Sequence, residues 1–327
     1  MGVLPDASGA SAAGGSNTLE FVDGFVLGPD AYYSPSYRIS PFRTADIADN
    51  LRLAPALTAS ATLDARFAGR KWTFTECGKE GIALALASLQ LRPDDCVTIF
   101  TTSGNRYISG CVTREIEKVC KWSREIEDST AAIFVNHEFG YPHRDLAGLR
   151  AYGVPIIEDA CHSWLADTPA RDMGLIGDFI AFSLPKVFPL QMGGLLAHRG
   201  HFDIQSRVEK ESSLERYLLT VMSHTIPLLD AARLTRRRHH QKLSERFARL
   251  GCTPRFELLE NDVPGVFLFN TPAGTDLALM KEHGWRHGIE CSVFYGEDAF
   301  FIPVHERLRE ADLDYFTAVF SRFLKDR

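Results

Sequence analysis

The chain has 327 residues, 45% of them hydrophobic and 24% charged, with a formal net charge of −6 at pH 7. These proportions fit a soluble globular protein with one large domain and a smaller one, and the acidic balance argues against a general nucleic-acid or anionic-membrane binder. No apolar run approaches the ~18 residues of a membrane-spanning helix. The first residues lack the basic and apolar regions of a secretory signal. The seven cysteines are scattered with no C-x-x-C pair, which predicts a cytosolic protein with free thiols and neither a zinc knuckle nor a disulfide framework.

Residues 1–17 are mostly Gly, Ala and Ser and read as a disordered tail. The segment 19–70, with Tyr32, Tyr33 and Tyr37 close together among prolines, reads as a loop-rich start followed by helical pieces. The pattern then alternates: a helix over about 79–89, strands at 97–100 and 132–135, a helix over 143–151, and strands at 154–157 and 179–182. Strands alternating with helices predict an α/β fold, a large domain whose mostly parallel sheet lies between helices. Helical patterning resumes between about 206 and 250, followed by a strand at 266–269, a helix near 276–287 and an amphipathic helix over 310–324. This predicts a large cofactor-binding domain with an N-terminal extension over 18–205, then linking helices and a small C-terminal α+β domain over 206–327.

The chemistry concentrates between Val154 and Gly194. An apolar strand ends in Glu158-Asp159-Ala160-Cys161-His162, and a second one is followed by Lys186 in Phe182-Ser183-Leu184-Pro185-Lys186. One carboxylate at a strand end and one lysine past the next strand are what a pyridoxal 5′-phosphate (PLP) site needs. The pyridine nitrogen must be kept protonated by a buried acid, and an amine must hold the aldehyde as a Schiff base. Asp159 and Lys186 are the candidates. Ser183 can reach the phosphate, and Gly193-Gly194 allows close backbone approach. Gly78-Lys79 at a helix start forms a candidate phosphate cradle, because unpaired helix N–H groups favour an anion and lysine adds charge. The plainer alternatives are an Asp159 that caps a turn, a Lys79 in solvent, and a His162 satisfied by backbone groups. The basic run Arg236-Arg237-Arg238-His239-His240 reads as a solvated helix face. His137-Glu138 is followed by Tyr141 where a zinc-protease helix needs histidine, which excludes metal hydrolysis.

Four blocks of this sequence resemble the DegT-type sugar aminotransferases of the aspartate aminotransferase fold group. Cys77-Gly78-Lys79-Glu80-Gly81 resembles their phosphate turn, and Asn136-His137-Glu138-Phe139-Gly140-Tyr141-Pro142 resembles their His-x-Tyr-Gly-x-Pro loop. The run from Pro155 to His162 and the run from Gly174 to Ser183 follow in the family's order, with weaker echoes at Gly288-Ile289-Glu290 and Pro303-Val304-His305. The resemblance implies a PLP-dependent aminotransferase that moves an amino group from a donor such as glutamate to a nucleotide-linked keto-sugar. It also implies a homodimer, with His162 contacting the cofactor's ring substituents and His137 orienting the aspartate or the ring. The sequence departs from the family in having two residues fewer between Ser183 and Lys186 and Lys79 in place of a hydroxyl. It also lacks an aromatic residue in Thr101-Thr102-Ser103-Gly104-Asn105 and an Asn-Tyr-Arg-like segment after Gly194. A catalytically silent protein kept as a binding or dimerisation scaffold is the alternative.

Overall fold

The computed structural model describes residues 20–22, 25–27 and 35–325. The predicted tail over 1–17, Tyr32 and Tyr33 lie outside them. In chain order the elements are β1 (Glu20–Val22), β2 (Phe25–Leu27), α1 (Ala45–Asn50), α2 (Thr58–Arg66), β3 (Arg70–Thr75), α3 (Gly78–Ser88), β4 (Cys96–Thr101), α4 (Gly110–Ile116), β5 (Lys121–Ser123), β6 (Thr130–Asn136) and α5 (Leu146–Leu149). They continue with β7 (Ile156–Asp159), β8 (Phe179–Ser183), β9 (Gly194–Arg199), α6 (Ser213–Thr225), α7 (Leu229–Ala248), β10 (Thr253–Pro254), β11 (Val266–Asn270), α8 (Leu277–Arg286), β12 (Ser292–Phe294), β13 (Ala299–Pro303) and α9 (Glu310–Lys325).

The large sheet has seven strands in the order β3-β9-β8-β7-β6-β4-β5. Strands β5, β4, β6, β7 and β8 pair in parallel, and β9 runs antiparallel between β8 and β3. The central strands are apolar along their length because both faces are covered. On one face Phe74, Phe182 and Leu195 pack against Leu63 of α2 and Leu218 and Met222 of α6. On the other, Val97, Phe134 and Ala181 pack against Ile82 and Leu86 of α3 and Ile116 of α4. The smaller sheet, β10-β11-β13-β12, is antiparallel. Its Phe267, Phe269 and Phe300 pack against Leu243 and Phe247 of α7, Met280 of α8 and Phe316 and Phe320 of α9.

Three local expectations change. The helix predicted over 143–151 shrinks to α5 and a 3₁₀ turn, because Asp145 caps Gly148 N–H and Gly153, at φ 71°, ends the turn. The helical patterning over 206–250 has a break that the sequence pattern does not place: it is two helices, separated by a 3₁₀ turn at Ile226–Leu228 that contains Pro227. The basic run on α7 is not a solvated face. Arg236, His239 and His240 are buried, and the Arg237 guanidinium binds the carbonyls of Leu259 and Asp262.

Candidate active site

The parallel strands deliver their carboxyl ends to one edge of the large sheet, where a ligand can meet loops rather than a paired ladder. Asp159 is the last residue of β7 and is 8% exposed. Its Oδ1 accepts the Cys161 amide at 3.0 Å. Burial pushes its carboxyl above the ordinary value, and the hydrogen bonds from Cys161 offset this only in part. Neighbouring Glu158 faces the other way, as alternation along a strand requires. It accepts the amides of Gly174 at 2.9 Å and Gly177 at 2.7 Å and lies 3.0 Å from His137 Nε2.

That arrangement decides what His137 can do. Its Nδ1 accepts the His143 amide at 3.0 Å, so Nε2 carries the proton and donates to Glu158. Both ring nitrogens are committed on the Glu158 side, and what His137 gives Asp159 is a backbone N–H to its carbonyl at 3.0 Å. His162 differs. Its Nδ1 is buried without a hydrogen-bond partner among the described residues, and its ring packs edge-on to Phe139, with centroids 5.2 Å apart. Burial first, then the charges of Lys186 and Arg236, push its pKa well below the usual histidine range. A neutral imidazole with an unused buried nitrogen can take a ligand's hydroxyl or phenolate oxygen.

The turn at the start of α3 is built by backbone proximity. Cys77 bridges to Gly193, and the Thr75 hydroxyl donates to the Cys77 carbonyl at 2.8 Å. A Cβ on Gly194 would lie 2.4 Å from Thr75 Oγ1 and 2.5 Å from the Cys77 carbonyl carbon. The close approach that Gly194 permits is therefore that of the chain itself, which carries the start of α3 over the end of β8. A Cβ on Gly78 would lie 2.6 Å from Cys161 Sγ and 3.2 Å from Ser183 Cβ, so Gly78, Cys161 and Ser183 share one spot. Cys77 offers no side-chain cap to α3, and, the bridge to Gly193 apart, the amides of Gly78 and Lys79 meet no acceptor among the described residues. Such donors at a helix N-terminus beside a serine can take an anion. The Lys79 ammonium is turned elsewhere: it sits 3.0 Å from Glu115 of α4, and its side chain is 51% exposed. Lys79 brings its amide to the turn; its charge serves the α3–α4 contact.

Lys186 closes a 3₁₀ turn, Leu184–Lys186, directly after β8. Its charge and that of Asp159 both act on the Cys161 thiol, which burial, ahead of Asp159, keeps protonated by raising its pKa well above the ordinary value. The turn is held from outside. The Pro185 carbonyl accepts the Ser40 hydroxyl at 2.5 Å, the Lys186 carbonyl accepts Arg236 Nη2 at 3.1 Å, and the Pro189 carbonyl accepts Asn50 Nδ2 at 2.8 Å. Ser40, Asn50 and Arg236 were not legible as site residues, because their partners are backbone carbonyls distant in sequence. The echoes near the C-terminus meet the same N-terminal loop: Glu290 accepts the Ile39 amide at 2.7 Å, and burial pushes the pKa of His305 down to about 3.

The donor set fits PLP. A buried carboxylate suits a pyridinium, two helix amides beside a serine suit a phosphate, an imidazole nitrogen without a partner among the described residues suits a ring oxygen, and a lysine is near enough for its charge to act on Cys161 and His162. Among the described residues the loop after β4 presents no aromatic within 101–105; Thr102 and Ser103 tie it to the Tyr141 carbonyl and the Glu138 carboxylate.

Solved structures are similar over nearly the whole chain. An aminotransferase, TlmJ, from Streptoalloteichus hindustanus superposes with a TM-score of 0.69 at 13% identity, covering 89% of this chain and 99% of that one. The chain shares its fold. An aminotransferase from Psychrobacter cryohalolentis gives 0.66 at 14% identity, over 89% of this chain and 99% of its own. The E. coli GDP-4-keto-6-deoxy-D-mannose-3-dehydratase with bound hydrated PLP gives 0.63 at 12%, over 88% and 100%. No family model and no curated protein sequence matches the chain. The shared fold thus carries more than one reaction, and the residues of the site have to argue for one.

Proposed function

We propose that the protein is a PLP-dependent aminotransferase that moves an amino group from an amino acid such as glutamate to a keto-sugar carried on a nucleotide. The observation that carries this is a buried carboxylate, Asp159, at a parallel strand end beside an uncapped helix start and a lysine. When bound, PLP supplies an electron sink for charge developing on the carbon that bears the amino group. Asp159 holds a proton on the pyridine nitrogen through its negative charge. The amides of Gly78 and Lys79 and the Ser183 hydroxyl bind the phosphate, and neutral His162 orients the ring through an oxygen substituent. Lys186 Nζ would be the amine that holds the aldehyde carbon and, as a free amine, would carry the proton from the donor's Cα to that carbon.

The enzyme is further proposed to be a cytosolic homodimer, since the proteins it resembles build each site from two subunits and two-fold pairs are the commonest assembly. No helix among the described residues is long and apolar enough to cross a membrane. The test is a single turnover: purified protein loaded with PLP is mixed with glutamate, and 2-oxoglutarate is counted against bound cofactor. Stoichiometric release supports transamination. Bound cofactor with no oxo-acid from any amino acid would favour the silent scaffold.

A further inference from the structure

Arg236 is 1% exposed. A guanidinium taken out of water needs full pairing to be tolerated, and a well-packed apolar side chain of similar volume would serve stability as well or better. Its partners explain its presence. Nε donates to Glu306 at 2.6 Å, and Nη2 donates to the carbonyl of Lys186 at 3.1 Å. Burial pushes the Glu306 carboxyl up, but Arg236 beside it outweighs this and holds it below the usual range. One planar fork therefore joins α7, the segment after β13 and the lysine turn, a span a point-charge ammonium does not reproduce.

The lysine turn needs such a hold. It is one 3₁₀ turn, with the amides of Val187 and Phe188 both returning to the Leu184 carbonyl, and short 3₁₀ turns hold their geometry poorly alone. With only Leu184 and Pro185 between Ser183 and Lys186, the lysine lies in the single turn that leaves β8. We propose that Arg236, kept in place by Glu306, is a positioning residue that fixes the backbone of Lys186 and so aims its Nζ. This rests on Lys186 being the cofactor-binding lysine.

Three variants test it in the full chain: Glu306→Gln, Arg236→Lys, and Arg236→Met combined with Glu306→Leu, which replaces the pair by apolar groups. Thermal melting reports folding. Hydrogen exchange of the peptide covering residues 184–190, in cofactor-free protein, reports the turn. The pH midpoint of the visible absorption band after PLP addition reports the amine. Glu306→Gln, which retains an acceptor but not the counter-charge, should melt lower while its exchange at the turn and its midpoint stay near wild type. Arg236→Lys should raise exchange at the turn by about tenfold, the effect of losing one charge-assisted hydrogen bond, and shift the midpoint. The double variant should melt close to wild type yet show the same two changes. Wild-type exchange and midpoint in a folded Arg236→Lys or double variant would overturn the proposal. Should the double variant not fold, Arg236→Lys decides alone. A wild type that takes up no PLP would instead sink the function, while the exchange comparison would still judge Arg236.

Discussion

Replacing Asp159 by Asn should move two measurable quantities in opposite directions. The side chain is buried at the end of β7, with Cys161 as its hydrogen-bond donor and no salt bridge among the described residues. Burial holds its carboxyl above the ordinary 3.8, so in cofactor-free protein above that raised value the charge destabilises the fold. Asparagine keeps an acceptor for the Cys161 amide and removes the charge. The cofactor-free variant should therefore melt higher at neutral pH. The gain should shrink as pH falls through the raised value and vanish below 3.8, where both folded and unfolded carboxyls are protonated. For 327 residues, an unfolding entropy of roughly 2.1 cal/mol/K per residue makes each kcal/mol worth only about 1.5 °C, so calorimetry over a pH series is the suitable assay. PLP binding should go the other way. Removing one partner of a buried ion pair costs about 3–5 kcal/mol, a rise in Kd of more than about 100-fold. A PLP Kd within a few-fold of wild type would show that Asp159 is not the pyridinium's counter-ion. A lower melting point in the cofactor-free variant would show that the carboxylate bonds to the fold itself.

Other substitutions test the cradle. Gly78→Ala places a methyl 2.6 Å from Cys161 Sγ, an overpacking that should cost about 1–3 kcal/mol in denaturant unfolding. Adding Cys161→Ala removes the nearest clash, so the pair should couple by about 1 kcal/mol; strict additivity would mean that the two do not touch. Lys79→Glu would set a carboxylate beside Glu115, which already pairs with Lys118. Its melting temperature should fall while its affinity for PLP stays within a few-fold of wild type. Unchanged melting with a large loss of PLP affinity would return the Lys79 ammonium to the phosphate.

Asp159 and Lys186 could be singled out in the sequence because buried parallel strands read as apolar runs, and a charged residue at the end of such a run stands out. Strand β3 could not: Arg-Lys-Trp-Thr-Phe-Thr is a half-exposed edge strand whose polar residues mask its period. Strand β9 was hidden by a short apolar run directly after Gly193-Gly194. Lys79 looked like a phosphate ligand because its partner Glu115 sits on α4, a helix too short to show its period. Arg236 was hidden most thoroughly. A run of three arginines reads as a wet surface, and only Glu306 and the Lys186 carbonyl, brought in by two other elements, make it an interior group. Pairings of that kind depend on tertiary contacts that periodicity does not carry.

The central claim, that this fold holds PLP on Lys186, is tested most directly by borohydride reduction of the protein incubated with PLP, followed by digestion and mass spectrometry. A pyridoxyl group on Lys186, absent from Lys186→Ala, is the result expected. A pyridoxyl group on a different lysine, or none on the wild-type chain, would contradict it.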